Sequence, residues 1–226
     1  MLVNDSTNSN VVIELKNIKK TYDNKMNVLN GIDLCLCKGE VAVIEGKSGA
    51  GKSTLMNIIG FLDDFNEGEY LLHNETIKKK NYSKIRAQMI GFVFQAYHLI
   101  ESITVRDNIV LPFLYSDYEF DNNAKKYYEQ LLEKFGLKEL EYKKASLLSG
   151  GEKQRVAIVR ALIKNPEIII ADEPTGNLDV DNTELVIDAF RQLKDEGKVV
   201  IIVTHDVNIA KENDRKLYLR DGKIIE

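Results

Sequence analysis

Gly46-Lys47-Ser48-Gly49-Ala50-Gly51-Lys52-Ser53-Thr54 follows the apolar run Val41 to Ile44. This is the G-x-x-x-x-G-K-[ST] pattern in its required setting, a strand before it and a helix after it. Its chemistry is largely backbone chemistry. The three glycines let successive N–H groups turn inward around phosphate oxygens, and a helix starting near Lys52 aims its positive end at them. Lys52 can supply a cation to β- and γ-phosphates, and the Ser53 hydroxyl can ligate Mg²⁺. The pattern points to a nucleoside triphosphate.

Two further groups suit the same ligand. Asp172-Glu173 follows the buried run Ile168 to Ala171, at the carboxyl end of a strand, where parallel sheets place ligands. Asp172 suits Mg²⁺, directly or through water, and Glu173 suits the orientation or deprotonation of an attacking water. Leu148-Ser149-Gly150-Gly151-Glu152-Lys153-Gln154-Arg155 has capping-box spacing between Ser149 and Glu152, so a helix should begin just after Ser149. Two glycines in its first turn cost about 1 kcal/mol each in helix propensity. They make sense where the backbone approaches something closely, and a bare helix start with a hydroxyl binds anions. The chain thus carries two phosphate-binding devices and one lysine-bearing loop.

The elements that must position these residues are legible in outline. Residues 1–10 are polar and predict a disordered tail. Val11 to Tyr22 alternates, and with Val28 to Cys37 it predicts a small antiparallel sheet with one wet face. Val41 to Ile44, Ile168 to Ala171 and Val199 to Thr204 lack polar alternation and predict strands buried on both faces. Lys52 to Leu62 is expected to be helical. From Gln95 to Gly151 charged residues and tyrosines are dense, and Lys125 to Phe135 has helical spacing, which predicts a mostly helical insertion. Asn182 to Glu196 puts Leu185, Val186, Ala189, Phe190 and Leu193 on one helix face, Gly197 ends it, and Asp221-Gly222 turns a last hairpin. No repeat or long linker divides the chain.

With 226 residues, 44% hydrophobic and 29% charged, the chain has ordinary globular composition, enough for one large domain. A net charge of −4 gives no basic field for nucleic acid. The segment Met1 to Asp5 lacks the order of a secretory signal, and runs such as Val199 to Val203 are too short to span a bilayer. A cytoplasmic location is expected. Cys35 and Cys37 fall on one face of a strand and read as buried free thiols rather than as a metal site.

Taken together, these motifs resemble the nucleotide-binding subunit of an ABC transporter, over roughly residue 11 to the end. Leu148 to Gln154 resembles the family signature, with Glu152 where many members carry Gln. The resemblance implies an α/β fold: a P-loop NTPase (RecA-like) core, an N-terminal antiparallel β subdomain and an inserted α-helical subdomain. Residues 11–94 and 156–226 would form the β subdomain and core, and 95–155 the helical part. It implies ATP and Mg²⁺, with two subunits packed head to tail so that each ATP lies between the phosphate loop of one and Ser149, Gly150, Gly151 and Glu152 of the other. Tyr22 matches the aromatic residue that stacks on adenine, and Gln95 the glutamine that contacts Mg²⁺ and water. Gly176-Asn177-Leu178-Asp179 matches the loop where subunits meet, and His205 the histidine that reaches the γ-phosphate.

The stretch Ala171 to Asp179, with Phe92 to Gln95 and Asn108 to Pro112, is similar to one branch of that family. It holds lipoprotein-release, macrolide-export, cell-division and antimicrobial-peptide-resistance ATPases. Members often pull on a membrane permease whose long helices relay closure outward, which implies a peripheral position at the inner face of the membrane. Glu101 departs from the branch, standing where a proline is common. The other class to weigh is a soluble ABC ATPase: DNA-repair and translation members need a longer chain, whereas an Fe–S assembly ATPase is of similar size. A regulatory module that holds ATP without turnover is disfavoured by Glu173 and His205.

Overall fold

The computed structural model describes residues 10–22, 26–176, 178–204 and 214–225. Most of the expected tail lies outside them. Asn10, at its end, accepts the Lys38 N–H through its carbonyl at 2.9 Å.

The alternating opening folds as expected. Strands β1 (Val11–Tyr22) and β2 (Met26–Cys37) pair antiparallel, and β1 also pairs with β4 (Glu67–Leu72), which carries the short β5 (Glu75–Thr76). On β1, Ile13 and Leu15 are buried while Lys16 is exposed. Cys35 and Cys37 are free but half-buried, a correction to the expectation of full burial. Burial, then the neighbouring Cys37, pushes the Cys35 thiol up to about 11.

The second sheet has six strands in the order β10-β9-β3-β8-β7-β6. They are β3 (Val41–Glu45), β6 (Ile90–Val93), β7 (Ile168–Asp172), β8 (Val199–Val203), β9 (Arg215–Arg220) and β10 (Lys223–Ile225). All neighbours run parallel except the β9–β10 hairpin. The unbroken apolar runs now have their physical reason. Along β7, Ile168 and Ile170 enter one core while Ile169 and Ala171 enter the other; β3 divides likewise, Ala42 and Ile44 against Val41 and Val43. Alternate side chains point to opposite faces, so a strand covered on both sides needs apolar residues throughout. Each large aliphatic side chain so buried contributes about 2 kcal/mol.

The first core holds the antiparallel sheet and helix α1 (Lys52–Ile59). That helix stops at Ile59, short of the expected Leu62. Gly60 closes it with an N–H bond to Met56, and Phe61 turns left-handed at φ 56° to stack its ring on Tyr70 at 4.6 Å. Helix α2 (Tyr82–Met89), absent from the sequence reading, precedes β6. The second core takes helices α3 (Val105–Val110), α4 (Asn122–Lys134), α5 (Gly150–Leu162) and α6 (Val180–Asp195). Helix α5 runs unbroken past residue 155 and packs against β6 and α3. Val186, Ala189, Phe190 and Leu193 of α6 are buried as their spacing predicts.

Register decides where the chemistry falls. Ile44 pairs with Val203, Asp172 with Val203, and Val93 with Ala171. The carboxyl ends of β3, β8, β7 and β6 therefore lie along one edge, where Gly46 and Glu173 directly follow β3 and β7, Thr204 follows β8, and Gln95 comes two residues after β6.

Candidate active site

That edge opens into a cavity of about 780 Å³. Its walls bring together Tyr22, Ser48, Gly49, Gly51, Lys52, Ser53, Thr54, Gln95, Asp172 and Glu173, with Val28 and Val203 adding apolar surface. Residues distant in sequence thus meet at one site. Lys47 and Ala50 border a second cavity, on the side toward β9 and β10.

The loop is shaped by close approach. A Cβ at Gly46 would sit 2.4 Å from the Leu219 carbonyl oxygen, and one at Gly51 would sit 2.9 Å from that of Val28. Gly51 also has φ 101°, a left-handed backbone that turns the chain into α1. Lys52 is 8% exposed. Its Nζ donates to the carbonyls of Gly46 at 2.7 Å and Lys47 at 3.2 Å, inside the curve of the loop. The ammonium is held where an oxyanion in the cavity would meet it, and Ser53 opens the helix beside it.

Opposite the loop, Glu173 has φ 45°. A left-handed glutamate is strained, and such residues gather at functional sites. Its backbone N–H donates to the Val203 carbonyl at 2.8 Å, and its Oε2 accepts the Thr204 hydroxyl at 3.0 Å. The carboxylate is thus aimed by the ends of β7 and β8 together. Sequence reading took Thr204 only as the end of a buried strand, not as the residue that orients Glu173. His205 and Asn177 lie outside the described residues.

Ser149, Gly150, Gly151 and Glu152 stand apart from this cavity, at the start of α5. The capping box forms as expected: Glu152 N–H donates to Ser149 Oγ at 3.3 Å and Ser149 N–H to Glu152 Oε2 at 2.6 Å. A Cβ at Gly151 would face Leu178 and Asn182, so the α5 start adjoins the loop ending at Asp179. Asp179 caps α6, accepting the Asn182 N–H at 2.8 Å, and Asn182 also accepts from Arg155 of α5. Glu101, the departure from the expected proline, pairs with Lys153 of α5 at 2.8 Å.

The Ser149 N–H holds the Glu152 carboxyl below its ordinary range, outweighing burial. A depressed carboxyl contributes stability that is present above its unfolded value, roughly pH 4.3, and lost as pH falls through its lower folded value. Glu152→Gln keeps the reciprocal cap without a titrating group. Its start of α5 should therefore lose less hydrogen-exchange protection between about pH 4.5 and 3 than the wild type. Equal losses in the two proteins would remove Glu152 as the titrating cap.

Similarity to known proteins agrees with this geometry. The family model described as ABC transporter matches residues 29–176. The chain belongs to that family. Over 220 residues this ABC protein is 43% identical to YvrO of Bacillus subtilis, an ABC transporter ATP-binding protein, covering 95% of this chain and 96% of that one. It is 41% identical over 220 residues to the macrolide export ATP-binding/permease protein MacB of Pasteurella multocida, covering 95% of this chain but 34% of MacB. It thus spans about a third of that relative's length. Among solved structures, a dimeric post-hydrolysis ATP-binding cassette, MJ0796, bound to ADP and Pi superimposes with a TM-score of 0.85 at 38% identity, over 95% of this chain and 97% of that one. The ABC protein is accordingly an ATP-binding, ATP-hydrolysing subunit with the P-loop NTPase fold. No helix among the described residues is long and apolar enough to cross a membrane.

Proposed function

We propose that this ABC ATPase drives a membrane permease by mechanical transmission, sitting peripherally on the cytoplasmic face of the membrane through that permease. The observation that carries it is the separation of the two phosphate-binding devices. The lysine-bearing loop lines the cavity with Gln95, Asp172 and Glu173, while the α5 start lies elsewhere on the same subunit. A second copy packed head to tail brings the missing device to each site, and the dimeric cassette it resembles supports that arrangement.

The residues fit Mg-ATP. Ser53, Gln95 and Asp172 offer hard oxygen donors with one carboxylate among them, which suits an ion that keeps waters and phosphate oxygens. Among the described residues no three His, Cys, Asp or Glu side chains cluster to hold a metal by themselves, so phosphate would complete the shell. Bound there, Mg²⁺ would neutralise charge developing on the β- and γ-oxygens. Tyr22 stacks on the base and Lys52 holds the phosphates. The partner's Ser149, Gly150 and Gly151 clamp them from the facing subunit, with its Asp179 loop alongside. Glu173, aimed by Thr204, takes a proton from the attacking water, and His205 steadies the phosphate. Gln95, at the start of the segment linking β6 to α3, carries the change in the site toward the permease.

The similarity to an export protein with its own permease supports a transporter over an Fe–S assembly ATPase. The test is to tag Glu173→Gln, solubilise native membranes gently with ATP present, and identify what co-purifies. A permease with few membrane helices and a large outer domain is expected. Recovery of soluble partners alone would overturn the membrane reading.

A further inference from the structure

Tyr22 ends β1, yet its hydroxyl is anchored in another element. It donates to Asp63 Oδ2 at 2.5 Å, just beyond the end of α1. Asp63 is anchored in turn: its Oδ1 accepts from Lys20 Nζ at 2.8 Å and from the Asp64 N–H at 2.7 Å. Lys20, 8% exposed, also donates to the Asp64 carbonyl at 2.6 Å. Thr54, in the first turn of α1, lines the same cavity as Tyr22. The Lys20 ammonium lies 4.8 Å from the centre of the Tyr22 ring. One face of that ring is therefore occupied by a cation, and Tyr22 itself lines the cavity.

The proton positions are consistent with this direction of donation. Burial, and then the Asp63 hydrogen bond, raise Tyr22, so it stays a phenol. Burial raises Asp63 too, but Lys20, Tyr22 and the Asp64 N–H outweigh it and hold the carboxyl below its ordinary range, so it stays an acceptor.

We propose that Asp63 is a positioning residue for the nucleobase: it tethers the Tyr22 ring, with Lys20 closing one face, so that the base can stack only on the other. This rests on the reading that Tyr22 stacks on the base. The reason for the arrangement is spacing. Tyr22 lies on a strand outside the phosphate-binding unit, and its ring alone has freedom about χ1 and χ2. Asp63 lies in the turn that follows the helix whose first residues are Lys52 and Ser53. The tether thereby fixes the base subsite through the chain segment that leaves the phosphate-binding helix.

The test is the affinity of the purified full chain for Mg-ATP and, in parallel, for magnesium tripolyphosphate, which has no base. Losing one such hydrogen bond should cost about fivefold. Asp63→Ala and Tyr22→Phe should each weaken ATP by that factor and leave tripolyphosphate unchanged. The double variant should be no weaker than either single one, because both remove the same bond. Asp63→Asn, which keeps an acceptor, should restore most of the affinity. Equal losses of ATP and tripolyphosphate in Asp63→Ala would make its role merely structural and overturn the proposal. If Tyr22→Ala weakens ATP while Tyr22→Phe and Asp63→Ala do not, stacking stands and the tether falls. If Tyr22→Ala leaves ATP affinity intact, the stacking reading itself is gone.

Discussion

Glu173→Gln should lower ATP turnover by at least about a hundredfold, the range for loss of a general base, while ATP binding stays within about twofold of wild type. The substitution is close to isosteric. An amide oxygen can still accept the Thr204 hydroxyl, which the Glu173 carboxylate accepts at 3.0 Å, and the strained backbone is unchanged. What disappears is the group that can receive the proton of an attacking water. With chemistry blocked and binding intact, ATP-loaded subunits should accumulate as a head-to-tail dimer, visible as an ATP-dependent shift to twice the mass. Thr204→Val offers a graded companion: the carboxylate remains but loses its orienting hydroxyl, and a smaller fall in kcat is expected. Wild-type turnover by Glu173→Gln would remove Glu173 as the base.

Lys52→Ala should act on the other half of the site, weakening ATP binding by about ten- to a hundredfold. This is the range for hydrogen bonds to a charged group. Nζ lies among the carbonyls of Gly46 and Lys47, so the variant also leaves those oxygens without their donor in the nucleotide-free protein. A modest fall in melting temperature is therefore expected beside the larger loss of affinity. Lys52→Met separates the two effects by filling the lysine's space without its charge. Its ATP affinity should match that of Lys52→Ala even where its stability recovers. Calorimetric titration with Mg-ATP decides the matter, and unchanged binding in both variants would undo the assignment of the loop.

The parts of the site that could be read from residue order are those whose chemistry is local. The phosphate loop is set by glycine spacing between an apolar strand and a helix, and the start of α5 by a cap four residues long. The strands β3, β7 and β8 declare burial on both faces through unbroken aliphatic runs. Strand order was less accessible. Asp172 reaches the loop only because β8 lies between β3 and β7, a pairing of segments more than a hundred residues apart. Strands β4 and β5 escaped notice because Glu67, Glu69, Glu75 and Thr76 dilute the alternation of an edge hairpin. Asp63 was invisible for a different reason: in Leu62-Asp63-Asp64-Phe65 an acidic pair reads as an ordinary solvated turn. Its hydrogen bond to Tyr22 spans 41 residues and depends on the early end of α1.

The left-handed backbone of Glu173 also bears on attempts to make this protein more robust. A non-glycine residue in that conformation costs on the order of 1 kcal/mol, and glycine adopts it freely. A screen that rewards heat resistance alone would have reason to accept Glu173→Gly, since stability gained at a strained active-site residue is traded against activity. The hardened protein would keep its loop, its cavity and its grip on nucleotide, and would have lost the carboxylate. Thermostabilisation of this enzyme should therefore hold position 173 fixed and seek its gains in surface helices and turns remote from the carboxyl edge of the sheet.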